Sequence, residues 1–180
     1  MRRALVGLLA VAACGGGDEG ISTELEAAQL IGEVTMVAYE GLLAGIGGEE
    51  VDGVITVPCS EGGTLAATVQ PGGDGRNQAT FTSCTGGGNV FTGSLRASFS
   101  AGPPFMLAYN GALSSTGTVT ATLNFPEMVE RVSFIPATRN FTMRLTGTVN
   151  TQDSGGSHSF TFADAAFAYD DATGKVTAAQ

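Results

Sequence analysis

The chain has 180 residues, enough for one domain and too few for two full ones. Hydrophobic residues make up 43%, so a core can be buried, while charged residues reach only 14% against about 25% in an average soluble domain. Eight Lys and Arg against 17 Asp and Glu give a net charge of −9, which excludes a nucleic-acid partner from the expected functions. One His and three Cys leave almost no material for zinc, haem or a His-based catalytic centre, so no cofactor is implied.

In chain order, Met1-Arg2-Arg3 is a short basic start before an apolar run from Ala4 to Ala13. As a helix that run rises about 15 Å, half of a hydrocarbon core of about 30 Å, so it reads as a signal-peptide core and not as a membrane span. It ends in Val11-Ala12-Ala13-Cys14, which resembles a bacterial lipobox. That resemblance implies cleavage after residue 13 and acylation of Cys14, with several acyl chains because one alone holds only marginally. Gly15-Gly16-Gly17-Asp18-Glu19-Gly20 then suits a flexible tether. Gly15 after the Cys resembles the outer-membrane sorting pattern. The expected organisation is a signal peptide at 1–13, a tether at 14–22 and a single domain at 23–180.

Thr23-Glu24-Leu25-Glu26 fits a capping box, with Thr23 as N-cap and Glu26 at N3. It opens a helical period over Thr23 to Gly45. Ala27, Leu30, Ile31, Val34, Val37, Ala38, Gly41 and Leu42 form one stripe, and Glu26, Glu33 and Glu40 recur on the opposite face. An amphipathic helix is predicted, packed on its own domain and ended by Gly45 and Gly47-Gly48. Its polar face has no Lys or Arg, unlike a helix that lies on a membrane. From Cys14 to Gly75 every charged residue is acidic, whereas from Arg76 onward acids and bases balance.

From Val51 the period switches to two. Phe91–Phe99, Val119–Phe125 and Phe141–Val149 alternate cleanly between apolar and polar residues. Weaker strands are expected at 53–59, 64–70, 78–84, 105–113, 130–135, 159–169 and 175–178. Turn-rich separators and the lack of a second helix predict an antiparallel meander of about nine strands. Phe160 and Phe162 share a face while Phe167 and Tyr169 have the other parity, so a bulge is expected around Ala163-Asp164-Ala165. Glycines inside strands, such as Gly93, Gly111 and Gly147, mark curvature or close packing, for which the helix is the expected neighbour. The expected fold class is therefore mainly β (α+β): an N-terminal amphipathic helix packed on a curved antiparallel β meander or barrel.

If Cys14 is acylated, Cys59 and Cys84 remain, and an even pair in an exported chain reads as a structural disulfide. The runs Cys59-Ser60-Glu61-Gly62-Gly63-Thr64, Phe81-Thr82-Ser83-Cys84 and Phe91-Thr92-Gly93-Ser94-Leu95 resemble a group of uncharacterised proteobacterial lipoproteins. The likeness covers residues 1–125 and carries no activity with it. Thr92 stands where that group has Asn.

No catalytic residue is assigned. Gly155-Gly156-Ser157-His158-Ser159 lacks the last Gly of a nucleophile elbow, and His158 is expected to be an exposed strand residue. Glu49-Glu50-Val51-Asp52 and Asp170-Asp171 are the densest carboxylates, without the spacing of a calcium loop. The C-terminal Thr177-Ala178-Ala179-Gln180 lacks the terminal aromatic of an outer-membrane barrel. The expected protein is a lipid-anchored envelope lipoprotein of the outer membrane, facing the periplasm or the cell surface, non-catalytic, with a binding or structural role. Its partners would be the membrane through acylated Cys14 and either an apolar small molecule or another envelope protein. The alternatives are an envelope enzyme that uses carboxylates alone and a scaffold without a small ligand.

Overall fold

The computed structural model describes residues 20–45, 50–68, 76–100, 104–135 and 137–179. The expected signal peptide, Cys14, most of the tether, Gly47-Gly48, Glu49 and the turn at 70–75 lie outside the described residues.

Helix α1 spans Glu24–Gly45. Its first turn is the expected capping box. The Glu26 N–H donates to Thr23 Oγ1 at 3.2 Å, and the Thr23 N–H donates back to Glu26 Oε2 at 2.9 Å. Ser22 adds its N–H and its hydroxyl to the same carboxylate oxygen, at 2.7 and 2.9 Å. Against the upward pull of burial, these hydrogen bonds hold the Glu26 pKa below its ordinary value.

Ten strands follow in one antiparallel sheet whose spatial order is the chain order. They are β1 (Glu50–Val51), β2 (Val54–Pro58), β3 (Thr64–Thr68), β4 (Arg76–Gly86), β5 (Asn89–Ser100), β6 (Phe105–Gly117), β7 (Ala121–Ile135), β8 (Asn140–Asp153), β9 (Gly156–Asp170) and β10 (Lys175–Ala178). The meander is therefore as expected, with two changes. The strands expected separately at 119–125 and 130–135 are one strand, β7, bent where its register with β8 slips between Asn124 and Glu127. The two-residue β1 is additional.

The barrel alternative gives way to an open sheet, because β1 and β10 do not pair. The helix takes the place of that missing ladder. It packs against β2 and β4 near one end of the sheet and against β8, β9 and β10 near the other. At the β10 edge the Val176 N–H donates to Gln29 Oε1 at 2.7 Å, and Gln29 Nε2 donates to the Gly174 carbonyl. One side-chain amide thus satisfies both a donor and an acceptor at the sheet's edge.

This placement corrects the two-faced reading of the helix. The apolar stripe of Ala27, Leu30, Ile31, Val34 and Val37 is buried as expected, but every residue from Leu30 to Val37 is buried, including Glu33 and Thr35. A helix flanked on two sides by a curved sheet has no solvated face in its middle. Aromatic rings continue the packing outward from it: Tyr39 stacks on Phe134 at 3.5 Å, Phe134 lies 5.0 Å from Phe141, and Phe141 stacks on Tyr169 at 4.7 Å.

The bulge between Ala163 and Ala165 is present. The β8–β9 register slips between Leu145 and Thr146, and Asp164 is the extra residue, with φ +59°. Cys59 and Cys84 form a disulfide with a Cα–Cα distance of 5.5 Å across a sequence separation of 25. Closing a loop of that length is worth about 3.5 kcal/mol in the chain-entropy account. The strand glycines differ from expectation in what they approach. Gly93 and Gly111, at φ +139° and +135°, bring their backbones against the backbone of the adjacent strand, not against α1. Gly86 and Gly87 are the ones that meet the helix, at Val37 and Glu33.

Candidate functional site

The two ends of the sheet come together over the middle of α1 and leave a cleft of about 320 Å³. Glu61 and the Gly86–Gly88 turn line it on one side, Arg139, Asp171 and Thr173 on the other, and Glu33 and Tyr169 its floor. The β2–β3 and β4–β5 turns belong to the first half of the meander, and the β7–β8 and β9–β10 turns to the second. Strand order alone would leave these turns apart, at opposite ends of an antiparallel meander; the coiling of the sheet around α1 brings them together.

Glu33 is 4% exposed. Its carboxylate accepts from Gln29 Nε2 at 2.9 Å and from Asn89 Nδ2 at 2.8 Å. Burial raises its pKa, and these two donors offset that only in part. Asn89 in turn accepts the Val119 N–H at 2.8 Å, which ties the β4–β5 turn, the chain before β7 and the helix together. Burial, followed by the negative charge of Glu33 and Asp171, pushes Tyr169 up to about 12. Arg139 pairs with Asp171 across 3.3 Å at the rim. Of the acids that line the cleft, Glu33 is engaged by two amides and Asp171 by a guanidinium.

Of the carboxylates singled out from sequence, Asp170 and Asp171 have partners. Asp170 Oδ1 accepts the Thr173 N–H at 2.9 Å and the Thr173 hydroxyl at 3.0 Å, which shapes the β9–β10 turn. Asp171 is the ion-pair partner of Arg139, and its N–H donates to Asn140 Oδ1 at 3.0 Å. Glu50 and Asp52 are exposed at the β1–β2 hairpin. Among the described residues no group of three His, Cys, Asp or Glu side chains could hold a metal ion. The Ser157-His158 pair does not assemble either: the Ser157 hydroxyl donates to Gln152, and His158 stacks near Phe160 at 6.1 Å.

Two groups escaped the sequence reading. Glu130 on β7 is wholly buried, and the Thr35 hydroxyl of α1 lies 3.0 and 2.9 Å from its two carboxylate oxygens. Burial drives the Glu130 pKa up to about 8, against the downward pull of the Thr35 hydrogen bond. Tyr109 is raised too, by burial and then by the charge of Glu130. The signal for Glu130 was parity: Met128, Glu130, Val132 and Phe134 share one side of β7, so an acid stands in an apolar row. Glu33 carried no comparable signal, because its burial depends on what surrounds the helix.

A second feature concerns where the chain enters the fold. Ile21 is 1% exposed, and its N–H donates to Asp153 Oδ2 at the end of β8. Asp153 Oδ1 accepts from the Gly155 and Gly156 N–H groups at 2.7 and 3.1 Å. The Ile21 bond, with those of the glycines, outweighs burial and holds the Asp153 carboxyl below its ordinary pKa. Ile21, near the start of the described residues, is therefore fixed beside the β8–β9 turn. Among the described residues no helix is long and apolar enough to cross a membrane. The chain matches no protein-family model, no curated protein and no solved structure.

Proposed function

We propose that the chain is a lipid-anchored lipoprotein of the bacterial cell envelope, held in the outer membrane by acylated Cys14, with a binding or structural role and no catalytic one. The observation that carries this reading is the basic start and apolar run that end in the lipobox-like Val11-Ala12-Ala13-Cys14. The residues from Cys14 to Gly20 reach about 20 Å when extended, enough to hold a domain just off a bilayer surface. The role assigned to the domain follows from its engaged carboxylates and from α1, which occupies the hollow of the sheet where an apolar ligand would sit. An envelope protein partner therefore fits better than a small apolar cargo.

Cell fractionation of a Cys14→Ala variant tests the anchor. Release of the chain from the membrane fraction is expected, and unchanged membrane association overturns it. Native mass spectrometry of the exported chain tests the role. A mass equal to a whole number of polypeptides with their anchors is expected, while additional mass removable by organic extraction would replace the filled-sheet reading with that of a carrier.

A further inference from the structure

We infer that the open edge of β9 is a self-association surface, on which a second copy of this chain adds its own β9 as an antiparallel strand. β9 runs from Gly156 to Asp170 and pairs with β8 along that length, but β10 covers its other edge only from Phe167 to Asp170. One further bond, from the Ala179 N–H to the Ala166 carbonyl, ends that cover. From Gly156 to Ala165 no strand among the described residues pairs with this edge. An open strand edge presents alternating donors and acceptors, and folded chains ordinarily blunt such edges with Lys, Pro, bulges or brevity. The opposite end of this sheet is blunted in that way, because β1 has two residues and β2 ends in Pro58. β9 has neither Lys nor Pro.

The chemistry of the stretch favours a second copy as occupant. The chain carries −9 overall, so two copies repel at most approaches, yet 156–163 contains no Asp, Glu, Lys or Arg. Its outward side chains, Ser157, Ser159, Thr161 and Ala163, are small and exposed, and the alternate ones are His158, Phe160 and Phe162. Residues directly opposite in an antiparallel pair share a face, so the two-fold axis must pass through a residue. With the axis at Phe160, that ring faces its own copy, Ser159 faces Thr161, His158 faces Phe162, and Ser157 faces Ala163. Small residues meet small and aromatic residues meet aromatic throughout. The pairing has natural limits, the β8–β9 turn at Gly155-Gly156 and the bulge at Asp164. It covers the half-buried Phe160 and His158. The inference does not depend on the anchor.

Sedimentation of the exported full chain, in detergent with micelles in large excess, measures the mass directly. The unaltered chain is expected to sediment at twice the protomer's protein mass. A Ser159→Lys/Thr161→Lys variant, which sets lysines opposite each other across the axis, is expected at half that mass. Thr122→Lys/Asn124→Lys, on the exposed face of β7 away from any edge, is expected to remain at the doubled mass. Hydrogen exchange on the unaltered chain needs no variant: protection of the amides from Ser157 to Ala163 is expected to rise with protein concentration. A protomer mass at all concentrations, or a doubled mass that the lysine pair on β9 leaves intact, overturns the inference. Concentration-independent exchange at 157–163 overturns it as well.

Discussion

The Thr35 hydroxyl on α1 lies within hydrogen-bonding distance of both carboxylate oxygens of Glu130 on β7, and both residues are buried. Burial raises the Glu130 pKa to about 8 against the pull of the Thr35 hydrogen bond, so the protonated acid is favoured at neutral pH. A neutral acid hydrogen-bonded to Thr35 joins the helix to the centre of the sheet. An ionised one would be a charge in an apolar interior.

Stability therefore depends on pH with a definite sign. The folded-state pKa of Glu130 is raised from 4.5 to about 8, so the stability it contributes is full below 4.5 and is lost as pH rises through about 8. Glu33 acts in the same direction. Asp153, Asp164 and Glu26 act oppositely, since their pKa values are lowered and their contribution falls away in acid. Maximal stability is expected near pH 5. Glu130→Gln should leave stability at pH 5 within about 1.5 kcal/mol of wild type, the range of one exchanged hydrogen bond. It should also flatten the decline toward pH 9. Urea unfolding across that range checks this, and an unchanged slope in the variant would refute the burial of a neutral Glu130.

The Cys59–Cys84 bridge ties the end of β2 to β4, and both sulfur-bearing residues are buried. A Cys59→Ala/Cys84→Ala chain is expected to lose about 2–5 kcal/mol. The denaturation midpoint should fall by the equivalent amount. A loss well under 1 kcal/mol would mean that the unfolded chain is not restricted by this loop.

Gly87 has φ +62°, and a Cβ placed there would come within 2.6 Å of Glu33 Cδ. Gly174 has the same φ with nothing within 4 Å. Alanine at either position costs about 1–2 kcal/mol for the left-handed backbone. Gly87→Ala additionally pushes Glu33 away from Asn89, and is expected to be the more damaging of the two by thermal melting. Equal melting temperatures would show that the Glu33–Asn89 bond contributes nothing.

On the outer face of the sheet, Arg131 and Arg144 stand directly opposite each other on β7 and β8. Asp164, in the bulge of β9, reaches between them, accepting Arg144 Nε at 2.9 Å and lying 3.6 Å from Arg131 Nη1. The Arg144 hydrogen bonds outweigh desolvation and hold the Asp164 carboxyl below its ordinary pKa. Asp164→Asn keeps a residue that tolerates the positive φ and removes only the charge. Melting is expected at lower temperature than wild type in low salt, with the gap closing at about 1 M salt, where screening acts over about 3 Å. A gap that persists in high salt would assign the effect to packing and not to charge.

Much of this architecture was legible along the chain. The Thr23–Glu26 capping box, the alternation in β5 and β8, the bulge forced by the parity change between Phe162 and Phe167, and the pairing of Cys59 with Cys84 all rest on neighbours or on simple counting. Glu130 was visible as an acid in an apolar row, had that row been followed through the bend at Glu127. The surroundings of Glu33 were not visible at all. Its i±7 companions Glu26 and Glu40 gave it the look of a solvated face, and nothing local distinguishes the three.

Amino-acid order by itself determined the elements and their sequence: one capped helix, then strands joined by turns, each with one apolar side. Only the tertiary structure decided that the sheet stays open, that both of its ends close on α1, and that Glu33, Thr35 and Glu130 lie inside. The physical reason is that periodicity reports which side of an element is apolar, whereas burial depends on how many neighbours surround it. Curvature accumulated over ten strands brings β2 and β10 to opposite flanks of the same helix, and no local stretch of sequence encodes that sum.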